Sequence, residues 1–531
     1  MSDISDFDEE AYLAGYPDVA AAVREKKFSS GLDHYLLHGQ WEGRGPRGEE
    51  SRRQRQRAEE ANCADEQPPV VLKGATALAG FAMYLHDPIT AMRLTYAKYG
   101  PFVIVDSPLR IFFGARHRLF ALTAGARFNR EVLNDPEIWR PVHVMSVSQK
   151  ESAARRVGLG LFSMNGRRHA HYRELISQPL RRSNIDPSSG EVAVLADSFV
   201  EKWPVGRPFD LWRHVRDLVR NISVGLVFGD DREHAYPIAD LVDKRVMFKW
   251  TLGAQVCPFN MRQTPYGKMM RQSEEIERRI TEWAGCRRGK PDSRDLMSNL
   301  VNNPDEEGKP ASDASVVGHI PTLFVAAYDT CQTALIWTLV LLAQHPRIAR
   351  HLADELESLE GTTPGIERVR ELPLLDAVVK ESMRLLPPVP MQIRRARFAT
   401  TLGGFPVPER TRVVLSSIVT NRIPDIYPDP DRFLPERWET IKPSGYDYAV
   451  FSGGPRVCPG QWFGMNVVKS SLVAILSRYR VALEPNVRID FEIQPTLCPR
   501  SAVMATLKPK RETFTSNPLR GAIARLVKFP E

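Results

Sequence analysis

The stretch FSGGPRVCPG, residues 451–460, surrounds one cysteine with three glycines, two prolines and an arginine. The residues after it, QWFGMNVVKSSLVAILSRYR, have the apolar spacing of an amphipathic helix. Cys458 is therefore predicted to lie just before a helix N-terminus, where unpaired N–H groups and the helix dipole favour a thiolate. The glycines let the backbone approach a flat, bulky group. A thiolate there suits an iron ligand, while a nucleophile or an ordinary buried cysteine remain open alternatives.

The composition is that of a globular chain with reduced cysteines. Of its 531 residues, 43% are hydrophobic, and the six cysteines form no C-x-x-C pair, which favours free thiols and a cytoplasmic location. The formal charge of +8 predicts a solvated basic surface that could meet an acidic protein, and nucleic acid is not expected as a partner. No apolar signal core and no uncharged window of membrane-spanning length is present, so we expect no transmembrane anchor.

Four segments differ in composition. Residues 1–48 contain two short helical patterns and resemble a small helical module that is appended to assorted bacterial proteins. Residues 49–69 are charge-dense and predict a linker. Residues 70–510 have the composition of a folded domain. Residues 511–531 predict a basic, solvated C-terminal tail, with a short amphipathic helix in PLRGAIARLVKF as the alternative.

Within residues 70–510 the pattern is mainly helical. The segment PTLFVAAYDTCQTALIWTLVLLAQHP is apolar almost all round, which predicts a central, buried helix. Short strand patterns appear in PFVIVDSP, RIFFGA and TRVVLSS. The predicted fold class is therefore mainly α with small peripheral β-sheets.

Three further segments place polar residues at informative spacings. KESMRLLPP puts Glu381 and Arg384 three residues apart, on one face of a helix. DRFLPERW supplies Arg437, which could join that pair. Asp329 and Thr330 lie side by side in the apolar central helix, where polar groups are costly unless they are hydrogen-bonded or used.

Together these segments resemble a cytochrome P450. The haem-binding loop of that family, F-x-x-G-x-R-x-C-x-G, is matched by Phe451, Gly454, Arg456, Cys458 and Gly460. Glu381 and Arg384 match the family's E-x-x-R helix, and residues 433–437 match the meander that precedes the loop. The resemblance covers roughly residues 70–510 and implies the cytochrome P450 fold.

The resemblance also implies a haem b cofactor with Cys458 as the axial thiolate ligand of the iron. Arginine and histidine side chains would bind the haem carboxylates, because Arg–carboxylate pairs are strong and specific. The residues expected to contact haem are Phe451, His169, Arg173, Arg456 and Arg395, with Arg394 as the alternative to Arg395.

In the same family, an acid and an alcohol in the central helix handle protons and iron-bound oxygen, and Asp329 and Thr330 match this pair. Two neighbours depart from the family pattern: Ala327 replaces the usual glycine, and Cys331 replaces a hydroxyl residue. Glu381, Arg384 and Arg437 are expected to maintain the fold rather than to catalyse.

The implied function is that of a haem-thiolate monooxygenase acting on an apolar small molecule. Residues 1–531 contain no pattern of a fused reductase, so a ferredoxin- or flavodoxin-type electron donor is expected. Two alternatives remain: a peroxygenase or rearrangement enzyme that does not use dioxygen, and a component recruited through residues 1–48. The expected substrate-lining stretches are residues 140–162 and 244–261, which include Met247, Phe248, Trp250 and Phe259.

Overall fold

Helices dominate the secondary structure, as predicted. The structure is a computed structural model that describes residues 9–25, 28–35, 68–106, 119–142, 152–249, 259–290, 294–359 and 366–530. The predicted linker lies almost entirely outside these residues, and so does the strand predicted in RIFFGA.

The chain divides into two units, which are described separately. Unit 1 comprises residues 1–142, 391–420 and 443–458, and unit 2 comprises residues 143–390, 421–442 and 459–531. The helices, in chain order, are α1 Glu9–Gly15, α2 Pro17–Arg24, α3 Gly31–His34, α4 Gly74–His86, α5 Pro88–Tyr99, α6 Ala126–Asn134, α7 Ala153–Arg156, α8 Gly166–Leu180, α9 Arg182–Val200, α10 Leu211–Phe228, α11 Arg232–Lys249, α12 Pro265–Arg287, α13 Leu296–Asn302, α14 Asp313–Gln344, α15 Pro346–Glu357, α16 Ile366–Arg370, α17 Pro373–Leu385, α18 Ser417–Thr420 and α19 Gln461–Leu476. The strands are β1 Val70–Leu72, β2 Phe102–Asp106, β3 Leu119–Thr123, β4 Trp139–Pro141, β5 Pro208–Asp210, β6 Gln392–Ala396, β7 Thr400–Leu402, β8 Phe405–Val407, β9 Arg412–Leu415, β10 Tyr479–Leu483, β11 Phe491–Ile493, β12 Leu497–Pro499 and β13 Met504–Pro509.

Unit 1 is built on a six-stranded sheet with the order β1-β2-β3-β9-β6-β4. The strand predicted in PFVIVDSP is β2, and the one predicted in TRVVLSS is β9. A cluster of buried apolar side chains from α6 and the sheet forms the core; Phe102, Phe128, Trp139 and Val413 are among its members. Burial of such side chains stabilises the sheet on this face.

The three N-terminal helices contact one another through a small aromatic core. Tyr12, Tyr16 and Val19 are buried together, and the Tyr12 hydroxyl lies 3.1 Å from Nδ1 of His34. The carboxylate of Glu9 accepts hydrogen bonds from the backbone N–H groups at the start of α3. These contacts fit the predicted helical module over the described part of residues 1–48.

Unit 2 surrounds α14, the predicted central helix. Ser312 caps its N-terminus by accepting a hydrogen bond from Ser315 N–H, and the helix continues through Pro321 without a break. In the part of the chain that the structure describes, α14 is the one helix long and apolar enough to span a membrane, and 78% of its most apolar window is buried inside the protein. Its apolar surface is therefore covered by packing within unit 2.

The helix after the cysteine loop ends earlier than its sequence pattern suggested. α19 stops at Leu476, and β10 begins at Tyr479 and pairs with β13 in a three-stranded sheet completed by β5. β11 and β12 form a separate antiparallel hairpin, with Glu492 opposite Cys498. This hairpin matters for the site, because it brings residues 494–496 to α14.

The C-terminal segment differs from the predicted solvated tail. Ile523, Leu526 and Val527 are buried, and Arg422 donates a hydrogen bond to the Leu526 carbonyl at 2.9 Å. Residues 522–525 form one 3-10 turn. The apolar spacing that suggested an amphipathic helix therefore reflects a short turn packed into the core of unit 2.

Candidate active site

The cysteine loop of unit 1 folds back on itself before α19. The Cys458 N–H donates to the Phe451 carbonyl at 2.8 Å, and the Val457 N–H donates to the Gly454 carbonyl at 3.0 Å. Ser452 and Gly454 both have positive φ angles, 64° and 62°. Cys458 is half-buried and lies three residues before α19 begins, which is the position predicted from the sequence.

Gly454 is required by the packing of this loop as well as by its φ angle. A Cβ at this position would overlap the carbonyl oxygen of Leu133 in α6 and would lie 2.7 Å from Oδ1 of Asn134. The same Oδ1 accepts a hydrogen bond from the Tyr446 hydroxyl at 2.6 Å. The loop is therefore held against α6 by close backbone contact, which fixes the position of Cys458 within unit 1.

Arg394 lies near this loop, and no carboxylate among the described residues contributes to its pKa. Arg394 is only 8% exposed, and it donates to the Ile393 carbonyl and to Oε1 of Gln392. Burial, and secondly the charge of Arg456, lower the pKa of Arg394 to about 10. A buried cation beside a second cation favours an anionic ligand, such as a carboxylate.

Strand alternation favours Arg394 over Arg395, the residue preferred from the sequence. In β6 the side chains of Gln392, Arg394 and Ala396 share one face, so Arg395 lies on the other face and is exposed. The charge of Arg395 acts instead on Arg412 of the neighbouring strand. Of the two candidates, Arg394 is thus the buried residue and Arg395 the exposed one.

His169 and Arg173 lie one turn apart on the same face of α8 in unit 2. His169 is buried, and Arg173 is half-buried. The structure therefore gives this pair the shared helix face that its four-residue spacing predicts.

In α14, the carboxyl of Asp329 is buried, with 7% of the residue exposed. Its Oδ1 accepts a hydrogen bond from Gln332 Nε2 at 2.7 Å, and its Oδ2 accepts one from Thr496 Oγ1 at 2.8 Å. Burial raises the pKa of Asp329 to about 7, against the lowering effect of these two hydrogen bonds. The pKa of Asp329 therefore lies well above that of an exposed aspartate. The Thr330 hydroxyl donates to the Ala326 carbonyl at 2.9 Å.

The two departures from the family pattern are both accommodated in α14. Ala327 is half-buried, and Cys331 is buried. The Cys331 sulfur would lie 3.5 Å from a Cβ built on Gly464 of α19, so it fits against that helix as a small packed residue. Cys331 thus contributes to the contact between α14 and α19.

Glu381, Arg384 and Arg437 come together in the interior of unit 2. The Glu381 carboxylate accepts five hydrogen bonds, at 2.8–3.0 Å, from Arg384 Nε and Nη2, Arg437 Nε, Trp438 Nε1 and the Leu434 N–H. Arg384 also donates to three main-chain carbonyls, those of Asn421, Pro430 and Arg432. Buried charged groups are stable only when their hydrogen-bonding atoms are paired in this way. The cluster joins α17 to the segment after residue 420 and does not adjoin Asp329 in sequence or hydrogen bonding.

Of the substrate-lining residues suggested by the sequence, the structure describes three. Met247 and Phe259 are exposed, and Phe248 packs against a buried apolar cluster of α7 and α12. Trp250 and residues 143–151 lie outside the described residues. The two predicted stretches do meet, because Arg245 donates to the Ala154 carbonyl at 2.9 Å.

Comparison with known proteins identifies the family. The cytochrome P450 family model matches residues 91–510. The chain belongs to the cytochrome P450 family. Its cofactor is therefore cysteine-ligated haem b, and the buried Arg394 and the glycine-dependent cysteine loop of unit 1 suit such a group.

Several individual proteins are similar to this P450. It is 27% identical to cyclooctat-9-en-7-ol 5-monooxygenase of Streptomyces melanosporofaciens over 67% of this chain and 79% of the relative. It is 26% identical to pentalenene oxygenase of Streptomyces avermitilis over 64% of this chain and 76% of the relative. A putative cytochrome P450 of Mycobacterium tuberculosis is 28% identical, and the match spans 58% of this chain and 64% of that protein. The solved structure of retinoic acid bound cyanobacterial CYP120A1 superposes with a TM-score of 0.66, at 22% identity, over 78% of this chain and 93% of that one.

Two matched substitutions in β6 test the arginine assignment. Arg394→Gln is expected to lower haem retention severalfold after desalting, because a buried cation for the haem carboxylates is lost. Arg395→Gln makes the same chemical change on the exposed face and should retain haem as the unmodified protein does. The ratio of Soret to protein absorbance measures the haem content of each variant. Equal haem contents in the two variants would contradict the assignment.

Proposed function

We propose that this P450 is a monooxygenase that inserts one atom of dioxygen into an apolar small molecule, with Cys458 as the iron ligand. The haem, when bound, supplies the reductive activation of dioxygen. The observation that carries the proposal is Asp329, a buried carboxyl with a pKa of about 7 beside Thr330 on the central helix. Retention of Asp329 and Thr330 counts against a peroxygenase or rearrangement enzyme, because relatives of those kinds tend to alter this pair.

The residues of α14 have distinct proposed roles. Asp329 accepts and donates a proton at Oδ2 near neutral pH, since that oxygen is bonded to a hydroxyl rather than to a fixed cation. Thr330 donates its own proton to the Ala326 carbonyl, so its oxygen remains available to accept a hydrogen bond from a ligand. Asp329 is buried, which keeps bulk water away from its carboxyl.

We propose an apolar substrate on the basis of the residues that precede this pair. Leu323 and Phe324 are buried on α14, and the acid–alcohol pair interrupts an otherwise apolar stretch. The two Streptomyces relatives are named for oxidations of cyclooctat-9-en-7-ol and pentalenene, which agrees with an apolar substrate. We propose a cytoplasmic location, where reduced carriers and free thiols coexist.

An acidic electron donor is proposed from the charge near the start of α19. Trp462, four residues after Cys458, is 38% exposed. The guanidinium groups of Arg182 and Arg370 lie 5.7 and 5.5 Å from its ring, and Asp186 supplies one carboxylate to both. An exposed aromatic ring with an excess of positive charge fits an acidic ferredoxin- or flavodoxin-type carrier.

The test is turnover under isotopically labelled dioxygen. With an acidic ferredoxin or flavodoxin, its reductase and a panel of apolar compounds that shift the haem spectrum, one labelled oxygen should appear in the product. Doubling the salt concentration should slow reduction several-fold, because exposed charges are screened. Unlabelled product formed with hydrogen peroxide alone, and none with dioxygen and carrier, would establish the peroxygenase alternative instead.

A further inference from the structure

The turn of the β11–β12 hairpin is hydrogen-bonded to one face of α14. Asp329, Thr333 and Trp337 are spaced by one helical turn each, so their side chains lie in a row. Asp329 Oδ2 accepts from Thr496 Oγ1 at 2.8 Å, and Thr333 Oγ1 lies 3.0 Å from the same hydroxyl. Trp337 Nε1 donates to the Leu497 carbonyl at 2.6 Å. All five residues are buried, so Thr496 is a built part of the surroundings of Asp329.

Gln332 contacts one of the two carboxyl oxygens of Asp329. Its Nε2 donates to Oδ1 at 2.7 Å, so Oδ1 acts as an acceptor in both protonation states. With the Gln332 amide in this orientation, the proton of the neutral acid lies on Oδ2. That oxygen is the one bonded to Thr496.

The hydroxyl groups of Thr333 and Thr496 can satisfy either state of Asp329. When the carboxyl is ionised, Thr496 donates to Oδ2, and Thr333 donates to the Asp329 carbonyl at 2.8 Å or to Thr496. When the carboxyl is protonated, Oδ2–H donates to Thr496, Thr496 donates to Thr333, and Thr333 donates to the Asp329 carbonyl. The direction of the chain reverses, and no hydroxyl proton is left unbonded in either arrangement.

We propose that Thr496 is a positioning residue that lets Asp329 gain and release a proton by reversing this hydroxyl chain. The significance of the proposal for catalysis depends on the proposed function, in which Asp329 carries protons. Without such hydroxyl groups, a buried acid would lack a hydrogen bond in either its protonated or its ionised state.

Other ionisable groups act on Asp329 and have to be kept constant. Four ionisable side chains interact electrostatically with Asp329. They are Arg216 of α10, Asp243 of α11, Tyr328 of α14 and Cys498 of the hairpin. Burial raises the pKa of Tyr328 well above its usual value and that of Cys498 to about 12, so both are neutral at pH 7. Burial also raises the pKa of Asp243, the second carboxyl of the group, so each titration is repeated with Asp243→Asn.

The test follows the carboxyl of Asp329 directly, by its protonated C=O infrared band, defined as the band lost in Asp329→Asn. The midpoint of this band in the holoprotein should lie near pH 7. Thr496→Val keeps the shape of the side chain and removes the donor to the ionised acid, so the midpoint should rise by roughly one unit. Thr496→Ser restores a hydroxyl and should return the midpoint towards that of the unmodified protein.

Thr338→Val is the matched control on the same helix. Thr338 is buried and donates to the Ala334 carbonyl, but it makes no hydrogen bond to Asp329. An unmoved midpoint in Thr496→Val, an equal shift in Thr338→Val, or no restoration by serine would each overturn the proposal. A haem–carbon monoxide spectrum without thiolate character would defeat the proposed function alone, because the infrared titration does not depend on it.

Discussion

Substitution of Glu381 by glutamine is expected to destabilise the folded, haem-containing protein strongly. Arg384 is fully buried and Arg437 nearly so, and Glu381 is the carboxylate that both contact. Glutamine would present an N–H group towards donors and leave two buried cations without a counter-charge. Breaking a buried ion pair in this way costs about 3–5 kcal/mol, a large part of the roughly 5–15 kcal/mol by which most domains are stable.

Urea unfolding followed by circular dichroism measures the effect, and the haem content of the purified protein gives an independent value. Glu137→Gln is the matched control, since it removes the same charge from an exposed pair with Arg397 at 3.1 Å. That change should alter the free energy of unfolding by about 1 kcal/mol or less. Similar unfolding midpoints for the two variants would show that Glu381 does not maintain the fold.

The Glu381 cluster also shows what sequence reasoning captures. The three-residue spacing of Glu381 and Arg384 follows from helix geometry, and the family motif adds Arg437. The indole of Trp438 and the Leu434 N–H, which complete the carboxylate's hydrogen bonds, have no periodic signal. Local spacing predicts partners within one helix, whereas partners from a distant irregular segment depend on the tertiary fold.

Asp329 also has a partner that local spacing in the sequence could not predict. Its place in an apolar helix predicted a functional acid, but its hydroxyl partner, Thr496, is 167 residues away along the chain. Alternation in a strand predicts that Arg394 and Arg395 lie on opposite faces, but only the structure shows that the Arg394 face is the buried one. The packed C-terminal turn was missed because its basic residues outweighed the apolar spacing of Ile523, Leu526 and Val527.

Replacement of Cys458 by alanine is expected to remove the thiolate signature of the bound haem completely. In the unmodified protein, reduction by dithionite under carbon monoxide should give a strongly red-shifted Soret band, because a thiolate donates electron density to the iron. Alanine keeps the backbone N–H that donates to the Phe451 carbonyl, so the loop can retain its shape. The red-shifted band should disappear, together with labelled-oxygen incorporation.

Another free cysteine provides a control for the assignment of Cys458 as the iron ligand. Cys286 is exposed on α12, and Cys286→Ala changes the same side chain without touching the loop, so it should leave the carbon monoxide spectrum unchanged. Near-identical circular dichroism for the two alanine variants would exclude unfolding as the cause of a lost band. A red-shifted band that persists in Cys458→Ala would move the ligand to another cysteine. Because Gly454 and the contact with α6 fix this loop, such a result would leave that packing without a functional explanation.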